Sequence, residues 1–143
     1  MEPESIQNSY TPNPRDSVEI AIRGLSERSK AIAGNIANLN TPGYKRREVS
    51  FEETLQKVQD AGRLSDIPLE KTNEKHFSNT IFSINDAMSS IEAKPVENDF
   101  FINGNNVDIE HEMIELTKTG MRYKAITSLA KKQYDSLRTT IRG

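Results

Sequence analysis

The sequence predicts a mainly α fold: long N- and C-terminal helices paired as a coiled coil, a short third helix, and a loop-rich middle with room for short β elements. Three observations carry this. Near both ends of the chain, apolar residues recur at alternating spacings of four and three, the signature of a helical seam. Between Arg63 and about Ile102 the periodicity fades, and Pro68 and Pro95 punctuate the chain. Leu, Ile, Val and Phe make up only 32 of the 143 residues. That is just above the level of roughly 20 % below which chains stay disordered. Burial must therefore be concentrated in a few elements or shared with partner chains.

The length fits one domain. We expect a flexible lead-in over residues 1–16 and a single folded unit over 17–143. Its paired helices cover 17–40 and 108–141, and an irregular middle covers 63–107. Pro3, Pro12 and Pro14 mark the lead-in. Asp16, with Glu19 three residues on, forms an aspartate version of the capping box. Val18, Ile22, Leu25, Ser29, Ile32, Ile36 and Leu39 then hold the seam for three heptads. Pro42 disfavours helix at Thr41. Thr41-Pro42-Gly43-Tyr44 suits a type II turn with Gly43 at the positive-φ position.

Ser50 and Glu53 make a second capping box. Phe51, Leu55 and Val58 share a face behind it, and Gly62 is placed to end that helix. In the middle, Ile84, Met88 and Ile91 can form one helical stripe, and Val96 to Ile102 ahead of Asn103-Gly104 reads as a strand entering a tight turn. The last seam is Ile109, Met113, Leu116, Gly120, Tyr123, Thr127, Ala130, Tyr134, Leu137 and Ile141. Asp108 can cap it, with Glu110 and Glu112 in the first turn and Lys131, Lys132, Arg138 and Arg142 towards the far end, as the helix dipole favours. A helix of about 34 residues is about 50 Å long, too long for a compact core from this chain to cover. Gly120, Thr127 and Ala130 thin the seam and permit close approach of a partner backbone. The two seams are natural mates, and what they leave exposed meets other subunits or solvent.

The net charge of -2 calls for neither nucleic acid nor anionic membrane. Its distribution is uneven. Ile84 to Glu112 carries seven acids and one lysine, and Met113 to Gly143 seven bases and two acids. Opposite blocks in adjacent segments suit head-to-tail self-association, and they equally suit two solvated faces. With no cysteine there is neither a disulfide framework nor a thiolate site. No apolar run is long enough to span a membrane, and the N-terminus lacks the apolar stretch of a cleavable signal peptide.

Little in the chain suggests chemistry. His111 and Glu115 are spaced to share a metal on one helix face, but a closed site needs more ligands, and His76 has no motif around it. No nucleophile elbow, phosphate loop or glycine fingerprint is present. We expect no catalytic residue, no cofactor, no metal and no small-molecule substrate. Lys45-Arg46-Arg47 lacks the interleaved aromatics of a nucleic-acid surface and reads as solvated or paired with Glu48, Glu52 or Glu53.

Asn35-Ile36-Ala37-Asn38-Leu39-Asn40-Thr41-Pro42-Gly43-Tyr44 stands apart. Asparagine is a poor residue for a helix interior, because its amide competes for backbone groups. Three in six positions point to an over-specified cap, to a recognition turn whose amides bond a neighbouring chain, or to both. Asn38 and Asn40 can satisfy carbonyls of the last turn, and Asn35 sits on the flank of the seam.

Asn35-Ile36-Ala37-Asn38 followed by Thr41-Pro42-Gly43-Tyr44-Lys45 resembles the signature of the flagellar rod, hook and hook-associated family. The length suits its small rod members. Phe51-Glu52, Asn103-Gly104-Asn105-Asn106-Val107-Asp108 and Glu112-Met113 resemble those of the proximal rod. The resemblance covers about 17–62 and 100–141. It departs in a longer lead-in before Asp16 and in Gly34, where a second asparagine is common. It implies a structural subunit of the basal-body rod, the shaft that transmits torque across the periplasm, with its terminal helices paired. It also implies export through the flagellar type III apparatus, and as partners the chain itself, other rod proteins, and the inner-membrane ring region with its adaptor. The rivals are another small rod protein and a free-standing coiled-coil adaptor.

Overall fold

The computed structural model describes residues 14–64, 84–96 and 104–142. Helix α1 spans Pro14–Ala37, strand β1 Arg47–Glu48, helix α2 Glu52–Leu64, helix α3 Ile84–Ser89, strand β2 Lys94–Pro95 and helix α4 Ile109–Arg142. The long terminal helices pack against each other. Helices α2 and α3 lie on a second side of α1, and the two strands pair antiparallel with Arg47 opposite Pro95.

Helix α1 begins three residues before the predicted 17. Proline needs no acceptor for a first-turn N–H and its ring presets a helical φ, so Pro14 opens the helix and Asp16 falls inside the first turn. The other end also comes earlier than the predicted 40. The helix stops at Ala37 and tightens, with Leu39 N donating to Ile36 O at 3.3 Å and Thr41 N to Asn38 O at 3.0 Å. Leu39 therefore lies beyond the helix. The predicted turn at 41–44 forms: Tyr44 N donates to Thr41 O, and Gly43 has φ +72°.

Two flanks of α1 are buried, where the seam predicts one. Leu25 and Ile32 are buried as predicted, and Val18, Ile22 and Ile36 are half-buried. On the other flank Ile20, Ala21 and Ala31 join Val49, Phe51, Val58, Ala87 and Ile91 in the core. Gly24 makes room for this, because a Cβ there would stand 2.2 Å from the Cγ of the Phe51 ring. The Arg28 guanidinium covers that ring 4.7 Å from its centre.

Helix α2 carries the predicted face of Phe51, Leu55 and Val58, but runs past Gly62 to Leu64. The Ser50–Glu53 box is replaced by the Glu52 carboxylate, which accepts from Phe51 N, while Glu53 pairs with Lys57 at 3.1 Å. Helix α3 presents Met88 to the core, with Ile91 buried just beyond it. Of the strand expected over Val96 to Ile102, residues 97–102 lie outside the described residues, and the observed strand β2 ends just before Val96. Val96 N extends the pairing by donating to Arg46 O at 2.8 Å.

Helix α4 has the expected length, capped by Asp108 Oδ1, which accepts from Glu110 N at 2.9 Å. Its face is rotated from the predicted one. Glu112 and Thr119 are buried and Ile126, Ala130 and Gln133 half-buried, each of the first two one residue before a predicted seam position. Ile109, Met113, Tyr123, Tyr134 and Ile141 are exposed, Met113 at 52 % and Tyr134 at 65 %; Gly120 is open, and Leu116 and Thr127 are half-buried. Leu137 is 37 % exposed.

Candidate assembly site

The asparagine-rich turn after α1 and the loop before α4 form one polar knot. Asn35, fully buried on the last turn of α1, is held on all sides. Its Oδ1 accepts from Arg47 N at 2.9 Å and from the Tyr44 hydroxyl at 3.3 Å. Its Nδ2 donates to Arg47 O at 2.9 Å and to Glu112 Oε2 at 3.1 Å. The side chain thus mimics a strand partner for Arg47 and ties β1 to α1. Glu112, also fully buried, accepts from Arg46 Nε at 2.5 Å on its other oxygen. A buried carboxylate is tolerable only when its lone pairs are matched in this way.

Around this centre the loop residues finish the cap. Asn38 Nδ2 donates to Gly34 O at 2.9 Å, as expected of a helix-end asparagine. The larger share comes from the far end of the chain. Asn105 Nδ2 reaches Asn38 O, Leu39 O and Thr41 O at 2.9–3.0 Å, and Asn105 Oδ1 accepts from Val107 N. Asn106 Oδ1 accepts from Arg46 N at 2.6 Å and its Nδ2 donates to Val96 O. Gly104, at φ +74°, comes close to Gly43, so the two loops meet at their glycines.

The basic cluster is spent on the same knot. Burial alone would lower the Arg46 pKa, but its bonds and proximity to Glu112 and Glu48 outweigh that and hold it above its ordinary value. Arg47 Nη2 donates to Ala93 O at 2.9 Å. A cleft of about 410 Å³ opens beside the cluster, lined by Arg28, Arg46, Glu48, Glu52, His111 and Glu115 among others. His111 Nε2 lies 3.2 Å from Arg46 Nη2 and Glu115 pairs with Lys118. Among the described residues no group of three potential ligands is placed to hold a metal, and no helix is long and apolar enough to cross a membrane.

Of the predicted motif residues, Asn35, Asn38, Thr41, Gly43 and Tyr44 meet in the knot, while Ile36 is half-buried and Ala37 and Pro42 are exposed. The buried Asn35 amide makes four bonds within its own chain. The sequence places Arg46 in a basic cluster paired with nearby acids, as its 3.1 Å bridge to Glu48 shows, and Glu112 in a first turn, but it does not show their bond to each other or the roles of Asn105 and Asn106. Their signal is a run of asparagines beside a glycine just before one helix, matching a run of asparagines just after another.

The family description "Flagella basal body rod protein" matches residues 19–45, which is α1 from its second turn to the knot. The chain is 35 % identical over 127 residues to the flagellar basal body rod protein FlgB of Bacillus subtilis (strain 168), covering 89 % of this chain and 92 % of that one. The chain belongs to the flagellar basal body rod proteins. Two further rod proteins named FlgB are similar to it. That of Borreliella burgdorferi is 34 % identical over 82 % of this chain and 87 % of its own. That of Escherichia coli (strain K12) is 24 % identical over 86 % and 88 %. As a rod protein it is a structural subunit of the flagellar basal body. The knot is then the joint of a rod protein's two terminal helices.

Proposed function

We propose that this subunit polymerises into the proximal rod by burying the outward stripe of α4 against sibling chains and other rod proteins. The observation that carries this is the stripe itself. Met113, Tyr134 and Ile141 are each more than half exposed along one side of the 34-residue helix, and Ile114 and Met121 are as open on the side next to it. A run of large apolar side chains of this extent on a water-facing helix marks an interaction surface. A head-to-tail contact that does not close on itself builds an open helical filament, and the acidic segment ending at Glu112 beside the basic segment that follows suits such a contact.

On this reading the rod transmits torque through many packed side chains, and the subunit performs no catalysis. The terminal helices gain their full order only as neighbours cover them, because long helices with an open apolar flank are marginal in isolation. The chain reaches the periplasmic rod through the type III export apparatus and meets the inner-membrane ring region and its adaptor there.

The test is a pair of surface substitutions, Met121→Asp and Ile141→Asp, which touch neither the knot nor the core. Circular dichroism of the free chain is expected to match the wild type while rod incorporation and motility are lost. Motility retained by the double variant would refute the reading.

A further inference from the structure

We infer that the buried Glu112 carboxylate selects which flank of α4 faces α1, and thereby which stripe stays outward; the second half of this rests on the assembly reading above. Two seven-residue ladders compete on α4. The inner one is Glu112, Thr119, Ile126 and Gln133, and the outer one Met113, Gly120, Thr127, Tyr134 and Ile141. Both share the line of Leu116, Tyr123, Ala130 and Leu137. Exchanging one for the other takes a turn of about 50° about the helix axis, half the angle between successive residues.

By apolar content the outer ladder is the better partner for α1. It offers Met, Tyr and Ile where the inner ladder offers one Ile. Yet the inner ladder is docked, with Glu112 fully buried and Thr119 2 % exposed, while Met113 and Ile141 face water and Tyr134 meets α1 through the Arg15 guanidinium, 6.0 Å from its ring centre. What holds it there is polar. Glu112 accepts from Arg46 and from Asn35, and Asn35 is itself fixed by both backbone groups of Arg47. Turning Met113 inward would carry the carboxylate away from both donors and strip the buried part of Arg46 of its strongest partner. A polar residue inside a helical seam fixes register at a cost in stability. Glu112 is thus a positioning residue, keeping the apolar ladder from being consumed within its own subunit.

The experiment compares the full-length wild type with Glu112→Ala, which removes the carboxylate and keeps a good helix former. Hydrogen peroxide oxidation of Met113 is followed by mass spectrometry, with Met121, 64 % exposed and a member of neither ladder, as internal reference. Expected is a several-fold slower oxidation of Met113 in the variant at unchanged helicity and unchanged Met121 reactivity. The double variant Arg46→Ala/Glu112→Ala, in which no cation is left unpaired, should show the same protection. Met113 as reactive as in the wild type in either folded variant would overturn the proposal. So would loss of helix in both, which would make the carboxylate a prop of the fold and not a selector. Motility is scored separately. Protection of Met113 with motility intact would keep the selection and sink the assembly reading.

Discussion

Single side chains in this subunit carry geometric duties that their residue type does not announce. Gly24 looks like a weak point in a helix, yet it is the seat of the Phe51 ring. In Gly24→Ala the new methyl meets the root of the ring, which cannot swing aside. Overpacking of this kind costs about 1–3 kcal/mol, occasionally more, and the better helix propensity of alanine returns about 1 kcal/mol. We expect a net loss of about 1 kcal/mol in urea unfolding. No periodicity in α1 reveals this, because the need for glycine is set by a residue 27 positions later. Glu52 gives a pH dependence. Burial opposes its charge, but the hydrogen bond from Arg28 outweighs that and holds its pKa below the ordinary 4.5. A depressed carboxylate stabilises the fold fully above its unfolded pKa, and that contribution disappears as pH falls through the folded value. Acid unfolding followed by circular dichroism should therefore show a decline below about pH 4.5 that Glu52→Gln shares less, starting from a lower stability at neutral pH.

Among the elements, the turn after α1 was the most legible and the facing of α4 the least. Proline and glycine act through local backbone sterics, so Thr41-Pro42-Gly43-Tyr44 declares its own shape. A Cβ at Gly43 would meet nothing within 4 Å, so Gly43→Ala isolates the cost of the left-handed conformation. About 1–2 kcal/mol is expected, read as a lower thermal midpoint. In α4 the pattern of four and three sets the spacing of the seam but not which flank turns inward. Spacing puts Met113, Gly120 and Tyr134 on the seam, and Glu112, Thr119 and Gln133 take the inner place because a buried partner for Glu112 waits on another element. The ends of α1 moved for local reasons: Pro14 extends its start, and the asparagines beyond Ala37 tighten its end. The second buried flank of α1 was hidden because α2 and α3 supply its partners from elsewhere in the chain.

At the scale of the whole molecule, the two helical ends of the chain depend on each other. Removing residues 109–143 deletes α4 and the Glu112 bridge together. The truncated protein should neither join rods nor restore motility to a strain lacking the subunit, while the core of α1, Phe51, Val58 and Ile91 retains partial helicity by circular dichroism. The pairing of the ends was visible in the sequence as two seams, and the family signature marked the place where they lock. The lock itself was not visible, because its bonds join residues about half a chain apart. Asn105 sits 64 to 67 positions downstream of the three carbonyls it serves. Contacts this distant form late, after a long loop has closed. A polypeptide that emerges from any narrow passage with its first residue leading must therefore wait for its final third before its opening helix can be sealed, so the order of arrival acts as a built-in timer against premature folding.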